Sequence, residues 1–414
     1  MSPSTSWGTA ERVYCIHAGR TRPKLPAEVD WWDRTRAEYI THNHNQRCNH
    51  TPILWQGREQ LPGLVTYMPT SASKAVSLGV TSTVSLASMR LLVPPLTPMS
   101  YKGQAGKIGV LGGCAEYTGA PFYAALSALK LGADLSHVFC DELAAVPIKS
   151  YSPELIVHGC LRASSAANAA DPVSQADEVS KWFPALSALV VGPGLGRDET
   201  HQAVAALVVQ RAVAASLPMV IDADGMRIVL EQPELVAGSK WTVLTPNKPE
   251  YQRLLDAFAS KLGTVADGGG GDTAQADEIR ALAQALNGPA VVRKGPTDWI
   301  SDGETVIANS EEGSLKRSGG QGDVLAGSIA TLLAWAHAAA GKQRLPAGGP
   351  PPPLLAAYTG CMLTRRFSRA AFAKHRRSMT APDLIAEIGE TFEEFCPADA
   401  EATELPVTER SLVL

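Results

Sequence analysis

From Lys107 onward, short apolar runs alternate with longer segments whose apolar residues recur every three or four positions. Lys107–Gly112 (KIGVLG) is predicted to be a strand entering a glycine-rich turn, and Ala120–Gly132 a helix with Pro121 in its first turn. Further strands are expected at Leu135–Cys140, Leu155–Val157, Leu186–Val191, Met219–Asp222 and Thr242–Leu244. Three more are expected at Ala290–Arg293, Asp298–Ile300 and Thr305–Ala308, with helices near Glu199–Ala215, Pro249–Ala259 and Thr273–Leu286. Runs such as Ala188-Leu189-Val190-Val191 suit strands covered on both faces. The pattern therefore predicts an α/β fold, a mainly parallel sheet with helices on both faces, and ligands at the carboxyl ends of its strands. Val324–Ala340 is uncharged and mostly apolar, but it contains His337 and falls short of the roughly 20 residues a membrane span needs. It reads as a buried helix packed on the sheet.

The first hundred residues lack this alternation. Residues 1–87 are expected to form an N-terminal extension, disordered or weakly structured, before a core over 88–396 and a tail over 397–414. A short helix around Ser85–Leu92, stopped by Pro94-Pro95, is the one local element expected there. Ala163–Ala170, Gly268–Gly271 and Gly341–Pro353 look like surface insertions. The composition, 45% hydrophobic and 19% charged, is that of a globular protein. With 37 Lys and Arg against 41 Asp and Glu, nothing in the charge points to a nucleic-acid partner. Seven cysteines without a C-x-x-C pair argue for reduced thiols inside a cell. The cytoplasm is the expected location, with the mitochondrion as alternative if the acid-free stretch Leu61–Pro98 becomes an N-terminus.

The strongest chemical signal is Ser318-Gly319-Gly320-Gln321-Gly322-Asp323, directly before the long apolar helix. Glycines let the backbone present several N–H groups at a helix start, which is an anion site, and Asp323 places a carboxylate beside it. Phosphoryl transfer to a hydroxyl needs that pairing of phosphate cradle and general base; a plain loop with an Asp cap is the other reading. Two more glycine-rich turns follow strands, at Gly112-Gly113 and at Gly192-Pro193-Gly194-Leu195-Gly196. Neither sits in a dinucleotide-fingerprint context. Asn247 and Glu250 share one face of a starting helix and could hold a hydrated Mg²⁺ or form a capping box. Lys294 ends a strand with Asp298 four residues on, suiting a nucleotide phosphate or an exposed turn. Asp222 and Asp224 are either a metal pair or a turn stabilised by Asp side chains. His42, His44, Cys48 and His50, with Cys15 and His17 nearby, have zinc-ligand identities without a recognised zinc spacing, and no metal is assigned to them.

Taken together, the motifs resemble the ATP-dependent NAD(P)H-hydrate dehydratases. The resemblance runs through Lys102–Gly106, Glu116–Pro121, Gly132–Phe139, Ser150–Leu155, Val191–Asp198 (VGPGLGRD), Ile221–Gly225 (IDADG) and Leu244–Glu250 (LTPNKPE). It continues through Lys294–Asp298, Gly319–Gly327 (GGQGDVLAG), Lys374–Thr380 and Asp383–Ile385, covering about Ser88 to Phe395. The GGQGD form resembles the eukaryotic branch, with Ser318 where that branch commonly has Cys. The resemblance implies a ribokinase-like fold and the ATP-dependent conversion of (S)-NADHX and (S)-NADPHX to NADH and NADPH, with ADP and phosphate released. It implies ATP as co-substrate, Mg²⁺ as cofactor, small-molecule partners only, no membrane, and is compatible with a homo-oligomer. Gly194, Gly196, Asn247, Lys248, Pro249, Glu250, Tyr251, Gln252 and Arg253 would contact the hydrated dinucleotide, as would the catalytic Asp323. Lys294, Gly295, Pro296, Thr297 and Asp298 would contact ATP, with Gly313, Ser314, Leu315, Lys316, Arg317, Ser318, Gly319, Gly320, Gln321 and Gly322. A ribokinase-like kinase acting on a vitamin-type alcohol is the alternative, and a non-catalytic nucleotide-binding protein the third reading.

Overall fold

The computed structural model describes residues 83–166, 171–262, 271–346 and 348–398. Nine strands form one sheet in the order β3-β2-β1-β4-β5-β6-β7-β8-β9. They are β1 (Lys107–Leu111), β2 (Leu135–Asp141), β3 (Ile156–Leu161), β4 (Ala188–Val191), β5 (Met219–Ile221), β6 (Thr242–Leu244), β7 (Ala290–Arg293), β8 (Asp298–Ser301) and β9 (Val306–Asn309). Strands β1 to β7 run parallel to one another, and β8 and β9 add an antiparallel meander beside β7 at one edge. All nine expected strands are present. Only β3 is displaced, running on through His158-Gly159-Cys160, whose polar and small residues hide the strand from an apolar-run reading.

The helices are α1 (Leu86–Arg90), α2 (Gly119–Leu131), α3 (Glu142–Tyr151), α4 (Pro172–Ser180), α5 (Glu199–Ala214) and α6 (Met226–Glu231). They continue with α7 (Lys248–Leu262), α8 (Asp272–Leu286), α9 (Gln321–Gly341), α10 (Pro352–His375), α11 (Ala381–Ala386) and α12 (Ile388–Phe395). Strand side chains alternate between two cores. Ile108, Val138, Val190, Val220 and Val243 join α2, α9, α10 and α12, whereas Leu111, Phe139, Val191, Ile221 and Leu244 join α4 to α8. This is the period of two expected of strands buried on both faces.

The apolar helix α9 is long and apolar enough to cross a membrane, yet 78% of its most apolar window is buried inside the protein. It lies beneath α10 and α2, and a Cβ on Gly327 would stand 2.1 Å from the Ala124 carbonyl oxygen. Glycine there sets how closely α9 and α2 approach. The expected insertion Gly341–Pro353 is only partly a loop, because Pro352 and Pro353 open α10, where a missing N–H costs nothing. Helix α3 escapes a sequence reading because Pro147 lies inside it and Leu143 and Val146 face outward. The expected boundary at residue 88 falls within α1, whose start is held by reciprocal capping between Ser85 and Ser88 and whose Met89 packs in the core. Residues 1–82, with the His/Cys cluster, and residues 167–170, 263–270 and 399–414 lie outside the described residues.

Candidate active site

The carboxyl ends of β4, β5, β6 and β7 meet the start of α9. After β4 the chain turns through Gly192, Gly194 and Gly196, all at positive φ. A Cβ on Gly192 would lie 1.9 Å from the Asp222 carbonyl oxygen, so glycine is required for the end of β5 to come this close. Asp222 and Asp224 flank Ala223, which is held in the left-handed region at φ 49°. For a residue with a Cβ that conformation costs on the order of 1 kcal/mol, and it aims the two carboxylates in different directions. Asp224 Oδ2 accepts the Gly196 N–H at 2.9 Å, while Asp222 Oδ1 accepts the Thr245 hydroxyl at 2.8 Å and lies 3.4 Å from Lys294 Nζ.

Helix α9 begins at Gly320, φ 89°, with no side chain capping its N–H groups. Gln321 turns away to donate to the Lys316 carbonyl and the Ser318 hydroxyl, both at 3.1 Å. The start of the helix therefore stays open to an anion. A Cβ on Gly322 would stand 3.8 Å from Asp222 Oδ2 and 3.9 Å from Lys294 Nζ, so the glycine fronts the ion pair without being required by packing. Asp323 follows, partly open to the cleft. Surrounding protein pushes its carboxyl up to about 8, with repulsion from Asp222 adding to the rise and Lys294 opposing it. A carboxylate raised this far is a stronger proton acceptor once ionised.

Two cavities are each lined in part by residues of this cluster. The first, about 360 Å³, is lined by Lys294, Gly295, Pro296, Asp298, Arg317 and Gly322 together with α10 residues. The second, about 560 Å³, is lined by Arg197, Gln202, Asp224, Asn247, Glu250 and Arg253 among others. Of the residues expected to touch ATP, Asp298 is not a free carboxylate. It is buried and held in a two-point pair by Arg365, whose Nε and Nη2 each lie 2.6 Å from it, and it also accepts from Gly295 N–H and Asn309. Arg365 reaches further to the Gly295 and Glu311 carbonyls, so it fastens the Lys294–Asp298 loop to α10. Ser314 is buried and anchored on Ser368 and Leu315 stands 87% exposed; these two, with Thr297, Gly313, Lys316, Ser318, Gly319 and Gly320, belong to the same two segments but do not line the first cavity.

Of the residues expected to touch the dinucleotide, Asn247, Pro249, Glu250 and Arg253 line the second cavity. Gly194 and Gly196 shape the turn beside it: Gly194 accepts the Gly113 N–H through its carbonyl, and Gln202 donates to the Gly196 carbonyl. Lys248 is exposed at the start of α7. Tyr251 is buried in the core under a stacked Arg293, and Gln252 pairs with Asp256 on the outer surface of α7, so neither lines either of these two cavities. Asn247 and Glu250 form a reciprocal capping box, each side chain accepting the other's backbone N–H at 3.0 and 2.8 Å. One Glu250 oxygen stays available, and burial, with the Asp222 charge, raises that carboxyl.

Sequence reasoning did not find Arg365, which carries no motif, or the buried His201–Asp141 contact at 3.0 Å that joins α5 to the end of β2. It weighed Asp222 chiefly as a turn residue. Its signals were its place two residues before Asp224 at a strand end and its membership of the Ile221–Gly225 motif. No group of three or more metal-ligating side chains occurs among the described residues.

Residues 108–390 match a protein-family model described as NAD(P)H-hydrate dehydratase. An ATP-dependent (S)-NAD(P)H-hydrate dehydratase of Bos taurus is 48% identical over 307 residues, covering 74% of this chain and 88% of its own. A protein of the same name from Vitis vinifera is 43% identical over 320 residues, 75% of this chain and 87% of its own. Among solved structures, a ribokinase-like superfamily protein of Enterococcus faecalis superposes with a TM-score of 0.57 at 19% identity, covering 76% of this chain and 95% of that one. An ADP/ATP-dependent NAD(P)H-hydrate dehydratase of Bacillus subtilis, co-crystallised with ATP and Mg²⁺, gives 0.51 at 19% identity, with 75% and 97% covered. These two establish the ribokinase-like fold, and the sequence matches go further: the chain belongs to the NAD(P)H-hydrate dehydratase family.

Proposed function

We propose that the protein is an ATP-dependent (S)-NAD(P)H-hydrate dehydratase, a lyase that returns hydrated NADH and NADPH to the intact cofactors. The observation that carries this reading is Asp323 at an uncapped helix start, beside Asp222 and beside the Lys294 that lines the first cavity. The 6-hydroxyl of the hydrate is a poor leaving group until it is phosphorylated. Asp323 takes the hydroxyl proton as that oxygen bonds to the γ-phosphorus of ATP and the bond from phosphorus to the β-bridging oxygen breaks, releasing ADP. Backbone N–H groups at the start of α9 and the Lys294 ammonium hold the charge of the transferring phosphoryl group. The ring nitrogen then expels phosphate from C6, and loss of the C5 proton forms the C5–C6 double bond. Nothing is oxidised or reduced.

The residues present fit Mg²⁺ entering on ATP, since that ion keeps most of its waters and needs only one or two carboxylates besides phosphate oxygens. Glu250, with one oxygen left over from its capping box, would hold it through water, and the ion would supply neutralisation of phosphate charge. Incubating the protein with ATP, Mg²⁺ and chemically prepared NADHX should restore absorbance at the NADH band with one ATP consumed per NADH. ATP consumption without NADH would refute the reading and favour a kinase of the same fold.

A further inference from the structure

The first cavity is lined by Lys294, Gly295 and Pro296 from the turn between β7 and β8, and by Arg317 from the connection between β9 and α9. One side chain of α10 is bonded to both of these segments. Arg365, with 16% of its side chain exposed, donates from Nη2 to the Gly295 carbonyl at 2.6 Å and from Nη1 to the Glu311 carbonyl at 3.1 Å. Its Nε and Nη2 also donate to Oδ2 and Oδ1 of Asp298, whose side chain is 7% exposed. The bonds close into a ring, because Asn309 donates from Nδ2 to Asp298 Oδ2 and accepts the Glu311 N–H on its Oδ1. Asp298 is saturated by these contacts. An ionised carboxylate offers about four lone-pair sites, and the Gly295 N–H, the Asn309 amide and two Arg365 nitrogens take them. A carboxylate so filled has no acceptor left for a ribose hydroxyl, and the guanidinium cancels the charge that would repel a triphosphate.

We propose that Arg365 and Asp298 are a positioning pair for ATP: they fix the spacing between the Lys294–Gly295 backbone and the connection that carries Arg317, and Asp298 serves ATP only through the backbone it holds. The proposal rests on the dehydratase reading for ATP as the ligand, and binding tests it without turnover. Lysine cannot replace the guanidinium here. A single ammonium on a flexible stem neutralises Asp298 but does not reach Asp298, Gly295 and Glu311 together from one rigid plane. Arg365 does not line the second cavity, so its loss should be felt at ATP and not at the dinucleotide. Removing the guanidinium alone also strands a buried carboxylate, which destabilises the fold whatever the pair does for ATP. The two effects separate when both charges are removed together.

The test uses the full chain and calorimetric titration with ATP and Mg²⁺, below the melting temperature of each variant. Arg365→Gln should melt well below wild type and bind ATP about tenfold more weakly. Arg365→Gln combined with Asp298→Asn should recover most of the melting loss, because no charge is stranded. Its ATP binding should stay about tenfold weak, because nothing then spans the two segments. Arg365→Lys should melt near wild type and still bind ATP about threefold to tenfold more weakly. In steady-state assays these variants should raise KM for ATP by similar factors and leave KM for NADHX within about twofold. ATP affinity that returns together with melting in the double variant, or wild-type affinity in Arg365→Lys, would reduce Arg365 to a structural role and overturn the proposal. Wild-type protein that binds no ATP overturns both the pair and the dehydratase reading. The expected pattern of ATP binding without turnover of NADHX sinks that reading and leaves the pair standing.

Discussion

Replacing Asp323 with Asn keeps the side chain's size and removes the charge, and the structure predicts opposite effects on activity and stability. In the ligand-free protein the Asp323 carboxyl is raised from 3.8 to about 8. At 1.36 kcal/mol per pH unit, that gap corresponds to about 6 kcal/mol for forcing the charge into the folded site. The opening of Asp323 onto the cleft and the freedom of the Asp222–Lys294 pair to adjust reduce this to about 1–3 kcal/mol. The sign follows from proton counts. Between about pH 4 and pH 8 the folded protein holds a proton that the unfolded chain has lost, so this contribution is fully present below pH 4 and disappears as pH rises through 8. Asparagine has no such dependence. Thermal unfolding without ligands should therefore place Asp323→Asn above wild type by about 2–6 °C at pH 9, with a smaller gap at pH 5. The same variant should lose about 10²–10⁴-fold in turnover of NADHX while still binding ATP, whose phosphate-facing groups are backbone N–H. In wild type, kcat/KM should rise with pH toward an apparent value near 8, set by the buried Asp323 carboxyl beside the Asp222 charge. Turnover within a factor of a few of wild type, or identical melting at pH 9, would refute the assignment of Asp323 as a destabilised base.

Gly322→Val should weaken ATP binding by about tenfold or more and leave melting nearly unchanged, because its Cβ meets the protein no closer than 3.8 Å but projects in front of Lys294 and Asp222; calorimetric titration with ATP checks this. Gly327→Ala should do the reverse, since its Cβ would sit 2.1 Å from the Ala124 carbonyl: a loss of about 1–3 kcal/mol in denaturant unfolding, read from the midpoint. A chain starting at Thr83 should melt and turn over like the full chain, whereas one starting at Ser88 loses the Ser85 cap and part of α1 and should melt several degrees lower, a cap being worth about 1 kcal/mol. Equal melting of the two shortened chains would show that α1 contributes nothing to the core.

What the sequence determined by itself was local. Strand faces alternate every two residues and helix faces return every three or four, so eight strands, the start of β3, and helices α2, α5, α7, α8 and α9 could be located from spacing alone. Glycines at 192, 194, 196 and 320 are legible for the same reason: the positive φ that each turn needs is a property of one residue and its neighbours. Asp323 belonged with them, as the first carboxylate after a glycine-rich helix start. Helix α3 was illegible because Pro147 argues locally against a helix, and only its burial against the sheet overrides that preference, while the start of α10 was hidden in a proline string that reads as a loop. The partners of charged groups were decided by tertiary structure alone. Arg365 lies 67 residues from the Asp298 it clamps, and Lys294 lies 72 from Asp222. Neither pairing has a period or spacing to betray it, because each exists only once the strand order has brought the two ends together. The raised carboxyl of Asp323 is of the same kind. Its residue type is written in the chain, but its proton affinity is set by the burial and the second carboxylate that the folded sheet places around it.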